Sequence, residues 1–293
     1  PDGQPADTKK QLYGQAFCLY GLAEYYRLSG DNKALETAID LYAHIEHDGF
    51  DKVRNGYIEA FARDWSERSD LRLSAKDHNE RKTMNTHLHV VEAYANLYTV
   101  WADEGLKERI RNLLWLFDHY FIDPADFHLR LFFDDDWNLK SELRSYGHDI
   151  EAAWLLQQCA EIIGDRELIK KFREMAVPVT NAAAEGLDTD GGLWYEYEPG
   201  DKQLIREKHS WPQAEALVGF YNAWQLTGDK KYYQQCLETW AFIRQYIRDH
   251  EKGEWFWGVF DDYRVMPEDK AGFWKCPYHN TRALLELIRR INL

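Results

Sequence analysis

The sequence predicts an all-α fold, a toroid of helical hairpins with short β-hairpins in its loops. Two observations carry this. Stretches of helical period come in pairs, each joined by a short Gly-Asp or acidic turn, and the turns recur every 60 to 75 residues or so. Within each pair the first stretch is rich in Ala, Leu and Tyr. The second carries more charge, as in Lys107–Arg111 and Glu167–Arg173, which suggests an inner and an outer ring of helices.

After a polar, Pro-containing start, a helix over Tyr13–Leu28 turns at Ser29-Gly30-Asp31 into Lys33–His47. Thr86–Trp101 turns near Asp103-Glu104-Gly105 into Lys107–Phe121, and His148–Ile163 turns at Gly164-Asp165 into Glu167–Ala184. Gln213–Leu226 turns at Thr227-Gly228-Asp229 into Lys231–Ile247. Gly ends one helix and Asp caps the next. The loops GGLWYEYEPG (Gly191–Gly200) and GEWFWGVFDDY (Gly253–Tyr263) read as short β-hairpins with aromatic faces. A last helix, His279–Ile291, has no partner after it. A closed ring cannot leave an inner helix unpaired, so its mate is expected from residues N-terminal to Pro1. The chain is therefore read as one catalytic domain over 1–293, incomplete at its N-terminus.

With 293 residues, 45% of them hydrophobic, the chain can bury a sizeable core. Twelve Trp and eighteen Tyr are many; aromatics fill cores, and their flat faces also suit sugar rings. The formal charge of −14 argues against nucleic acid or an anionic membrane as partner and fits a neutral substrate. The four cysteines are far apart, with no CxxC pair, which points to a reducing compartment. No apolar run approaches the roughly 18 residues that span a bilayer. No leader pattern is present, and a cytoplasmic location is expected.

The chemistry gathers on KTMNTHLHVVEAYANLY (Lys82–Tyr98), where Asn85, His89 and Glu92 share one helical stripe. His148 follows in SYGHDIEAAWLL, with Glu151 on the same face, and His279 stands just after Pro277 at a helix start. A metal site is open on residue types. However, His87 and His89 diverge by about 200° on a helix and cannot chelate one ion, and no HExxH pattern occurs. Acid–base chemistry remains: two imidazoles on opposite sides of one carbon next to a carbonyl would let a proton leave one face and return to the other. Glu151 and Glu92 would orient His148 and His89, and Asn85, His89 or an Arg would stabilise the enediolate oxygens.

MNTHLHVVEAYANLY, GHDIEAAWLL, HSWPQAEALVGFYNA and FWKCPYHNTRALLEL closely resemble motifs of the cellobiose 2-epimerase branch of the N-acylglucosamine 2-epimerase superfamily, and YGQAFCLYGLAEYY, NGYIEAF and RDW (Arg63–Trp65) match it too. The resemblance implies an (α/α)6 barrel. It also implies reversible conversion of glucose to mannose at the reducing end of β-1,4-linked disaccharides such as cellobiose and lactose. No metal or redox cofactor is implied. The ring opens, the C2 proton leaves, a cis-enediolate forms, and rotation about C2–C3 presents the other face. Matched by motif, His148 and His279 are the acid/base pair, His279 also opening the ring. His89 polarises the C1 carbonyl beside Asn85, and Glu151 supports His148. Tyr13, Asp77, Trp211 and Trp274 contact the sugar. The family's inward Arg near the start of its barrel is absent from this sequence, and family members run longer at the N-terminus. A monomer acting on an oligosaccharide or disaccharide is expected. The alternatives are a monosaccharide 2-epimerase or mannose isomerase, an inverting glycoside hydrolase using two of Asp64, Asp77, Glu151 and Asp190, and a non-catalytic sugar-binding protein.

Overall fold

The structure, a computed structural model, describes residues 4, 5, 7–74 and 76–292. They form two compact units, interleaved in sequence. The first takes the residues up to Ile122, with Arg130–Glu142 and Gln158–Arg166; the second takes Asp123–Leu129, Leu143–Gln157 and the residues from Glu167 onward.

In the first unit, β1 (Lys10–Gln11) leads into α1 (Leu12–Ser29), then α2 (Asn32–His44) and β2 (Ala60–Phe61). Next come β3 (Lys82–Thr83), α3 (Met84–Tyr98), α4 (Glu104–Leu116) and β4 (Phe132–Phe133). The local chemistry is as the sequence suggests. Gly30 ends α1 with φ +69°, where a side chain would be strained. Asp31 and Asp103 cap α2 and α4 by accepting from the Lys33 and Leu106 N–H groups. α3 is buried along almost its whole length, whereas α4 buries one stripe, Leu106, Ile110, Leu113 and Leu114, so the first helix of this pair is the inner one.

The second unit carries β5 (Arg144–Ser145), most of α5 (Tyr146–Ile163) and α6 (Arg166–Ala183). It continues through β6 (Glu196–Glu198), β7 (Gln203–Ile205), β8 (Lys208–His209), α7 (Ser210–Thr227), α8 (Lys230–Phe242), β9 (Gly258–Val259) and α9 (Tyr278–Ile291). α7 is buried over most of its length and α8 on one face. α9 buries Arg282 and Ala283 but leaves Leu285, Ile288 and Ile291 more than half exposed. It packs against α7. Among the described residues no helix is long and apolar enough to cross a membrane.

Two details differ from the sequence reading. The outer helices do not run on to His47, Phe121 and Ile247 as α-helix; each widens into a π-helical turn, Ile45–Gly49, Phe117–Phe121 and Ile243–Ile247. The Ile122 and Arg248 N–H groups reach back five residues to the Phe117 and Ile243 carbonyls, both at 2.9 Å. The aromatic loops are also paired differently. β6 does form a hairpin, with β7, but it lies past Gly200 on its second arm, and β9 pairs with β8, the strand before α7. The same closure recurs through the chain: Lys10↔Phe61, Lys82↔Phe133, Arg144↔Tyr197 and Lys208↔Val259 are antiparallel partners. Each strand entering a helix pair is bonded to a strand leaving it.

A cation opens each entering strand, and two of these are fully buried lysines. Lys82 Nζ lies 3.0 Å from Asp51 and donates to the Asp135 carbonyl, 4.7 Å from the Trp137 ring. Lys208 Nζ lies 2.6 Å from Asp188 and 2.5 Å from Asp190, beside the Tyr263 ring. Removing one partner of a buried pair leaves an uncompensated charge. Lys208→Met is therefore expected to cost about 3 kcal/mol, read as a lower urea midpoint; an unchanged midpoint would refute a structural role for this cation.

Candidate active site

In the second unit, three side chains from two helices, α5 and α9, converge on Glu215 of a third, α7. α5 and α7 touch where Gly219 faces Ile150; a Cβ there would come within 2.5 Å of the Ile150 side chain. This close approach brings Glu151 of α5 and Glu215 of α7, both fully buried, to the same place. Between them lies the guanidinium of Arg282 from α9: its Nη2 donates to Glu151 Oε1 at 2.7 Å and to Glu215 Oε1 at 2.6 Å. His279, one turn earlier on α9, directs Nδ1 at Glu215 Oε1 at 2.7 Å, and the Trp154 indole N–H donates to Glu215 Oε2 at 3.1 Å. Arg282 also bonds the Tyr278 hydroxyl and lies 5.0 Å from the Trp154 ring.

The electrostatics follow from this arrangement. Burial alone would push the Glu215 carboxyl up; the Arg282 guanidinium and the His279 ring outweigh it and hold it below the usual carboxylate range. An ionised Glu215 requires a proton on the facing Nδ1 of His279. That leaves Nε2 as the nitrogen able to take or give a proton. Glu151, Glu215 and His279 have ligand atoms within 4.8 Å of one another, a spacing a metal could use. The charge between the carboxylates is, however, already supplied by Arg282.

Trp211 joins the second imidazole to this cluster. Its ring centroid is 5.4 Å from that of His279 and 4.7 Å from that of His148. Gly147 makes room for it, since a Cβ there would meet the Trp211 ring at 2.5 Å. His148 Nδ1 is 2.7 Å from Ser145 Oγ, at the start of α5. Of the residues read from the sequence, the structure thus gathers His148, Glu151, Trp211 and His279, and adds Glu215, Arg282 and Trp154. Trp274, by contrast, sits on the exposed loop before α9, edge-on to Phe273.

In the first unit, α3 presents Asn85 and His89 on one face. His89 is buried; its Nδ1 lies 3.0 Å from Glu92 Oε2, and the rings of Tyr13 and Phe17 flank it at 5.1 and 4.8 Å. The Asn85 amide oxygen is a buried acceptor with no hydrogen-bond partner among the described residues. His87 does what its divergent face suggests: its Nε2 accepts from the Tyr57 N–H, and burial pushes its pKa down to about 3, so it stays neutral. Glu59, in the NGYIEAF stretch, is a further buried acid. It accepts from the Thr83 hydroxyl at the cap of α3, and burial raises its pKa to about 7. Asp77 accepts from the Ser74 N–H within its own loop at 2.6 Å.

Comparison with known proteins gives the family and the fold. A model of the family described as N-acylglucosamine 2-epimerase matches residues 1–283. A cellobiose 2-epimerase of Bacteroides fragilis is 47% identical over 287 residues, covering 98% of this chain and 73% of that protein. The structure of a cellobiose 2-epimerase from Bacillus thermoamylovorans superposes with a TM-score of 0.93 at 42% identity, over 98% of this chain and 74% of that one. A D-mannose isomerase superposes with a TM-score of 0.84 at 20% identity, over 98% of this chain and 73% of that one, a likeness of fold. These likenesses bear out the fold class read from the sequence, all-α and of α/α-barrel type, with short strands in the loops.

Proposed function

We propose that this chain, which belongs to the N-acylglucosamine 2-epimerase family, converts glucose and mannose units into one another at the reducing end of β-1,4-linked disaccharides, cellobiose and lactose among them. The enzyme is a carbohydrate epimerase, an isomerase, and its relatives support disaccharide epimerisation as its general activity. The observation that carries the finer reading is Trp211 flanked by two imidazoles, one backed by an ionised Glu215.

In this reading Trp211 stacks on the sugar and holds C2 between His148 and His279. His279, its Nδ1 proton directed at Glu215, opens the ring and works at C2 through Nε2. His89, steadied by Glu92, polarises the C1 oxygen, and Asn85 offers its amide to the developing enediolate. Rotation about C2–C3 turns the other face of C2 towards the second imidazole. Tyr13 contacts the sugar, Asp77 and Trp274 the second sugar or its rim, and Glu151 steadies the His148 side through the buried charge network. The enzyme works as a cytoplasmic monomer without metal or redox cofactor.

Incubation with cellobiose, lactose and mannose in deuterium oxide tests this. Glucosyl-mannose and epilactose carrying deuterium at C2 are expected. Fructose from mannose alone, or glucose released from cellobiose, would replace the reading with an isomerase or a hydrolase.

A further inference from the structure

Behind the catalytic face of α5 lies a buried histidine, His128. Asp149 directly follows His148 in the first turn of the helix and is fully buried. Neighbouring helix residues diverge by about 100°, so Asp149 leaves the face of His148 while sharing its backbone. Its Oδ1 accepts from the Leu129 N–H at 2.8 Å, and its Oδ2 lies 2.7 Å from Nδ1 of His128, a residue 3% exposed. The other ring nitrogen of His128 is 3.3 Å from Glu185 Oε2. An imidazole with a carboxylate at each nitrogen is satisfied only when both nitrogens carry protons.

The surrounding charges are few. Arg144 of β5 bonds Asp126 at 2.7 Å and lies 3.8 Å from Glu185; the Tyr146 ring of α5 is 6.1 Å from His128, its hydroxyl pushed up to about 12 by burial and by Glu185. Burial works against the His128 cation, but Asp149 and Glu185 outweigh it and hold the ring above its ordinary range.

We propose that His128 is a positioning residue for the reaction: paired with Asp149, it fixes the first turn of α5 and with it the ring of His148. The inference rests on the reading of His148 as a proton carrier. His128 is protonated at low pH and loses a proton as pH rises through its raised value. One carboxylate then loses its donor and the turn loosens, so turnover carries an alkaline fall that belongs to His128.

The test compares the parent with His128→Gln, Asp149→Asn, the double variant and Glu185→Gln, following cellobiose turnover against pH. Each of the first two is expected to lower kcat about tenfold with KM little changed, as a slight misplacement of a proton carrier does. The double variant should lose no more than either single one. The alkaline fall should vanish in His128→Gln and move to lower pH in Glu185→Gln, whose side chain is 57% exposed, so that the variant is expected to fold. Folded variants with the parental kcat and pH profile, additive losses, or an unmoved limb in Glu185→Gln would each overturn the proposal. If the parent fails to epimerise cellobiose, the functional reading fails instead. The positioning is then read from the His148 imidazole resonances, expected to shift and broaden in His128→Gln; unmoved resonances overturn it.

Discussion

His279→Ala is expected to lower epimerisation of cellobiose by about 10³-fold, the middle of the range for a lost general base. The side chain is partly accessible while its Nδ1 partner Glu215 is fully buried and retains Arg282 and Trp154. Removing the ring therefore takes away the proposed proton carrier without stripping the network behind it, and stability should change little. The sharper readout is isotopic. If His148 and His279 serve opposite faces of C2, each alanine variant keeps one working base and should still exchange the C2 proton of one epimer with deuterium oxide. His279→Ala and His148→Ala should then favour opposite epimers. Parental turnover in either variant, or exchange surviving from the same epimer in both, would sink the two-base assignment.

The helical hairpins were legible because turn chemistry is local. Gly30, Gly164 and Gly228 end helices, and Asp31, Asp103 and Asp229 cap the next ones by accepting backbone N–H groups. The strand pairing was not, because Lys208 and Val259 are distant in sequence and each strand is two residues long. A π-helical turn likewise leaves no mark in periodicity. At the site, His148, Trp211 and His279 stood out by residue type and motif, whereas Glu215 and Arg282 did not. Arg282 reads as one more charge on a helix that also carries Arg289 and Arg290, yet it is buried while Arg289 is largely exposed. Glu215 did leave a signal. In QAEALVGF a lone acid is set in a helix buried on every side, and such an acid must find a cation or a donor set. The cation that the structure places between the two carboxylates comes from α9.

That cation makes the second large prediction. Arg282→Met leaves Glu151 and Glu215, both fully buried, facing each other without the guanidinium that bridges them. Breaking a buried charge network by removing one partner costs about 3–5 kcal/mol, so a large drop in the urea midpoint is expected. The pH dependence should invert as well. In the parent, Glu215 is held below its usual range, so its contribution to stability is present above the unfolded value and lost as pH falls through the folded one. Without Arg282, burial and the neighbouring carboxylate push the shared site up, so the variant should gain stability as pH falls. The acid limb of turnover should move to higher pH, because Glu215 must be ionised to face the His279 Nδ1 proton. Arg282→Lys restores the charge but not the planar fork and is expected to recover part of the stability. The double variant Arg282→Met with Glu151→Gln removes one carboxylate along with the cation; it should regain much of the stability while turnover stays low. That separation distinguishes a charge balance needed for folding from a carboxylate kept ionised for catalysis. An Arg282→Met protein with the parental midpoint and the parental acid limb would show that the guanidinium serves neither.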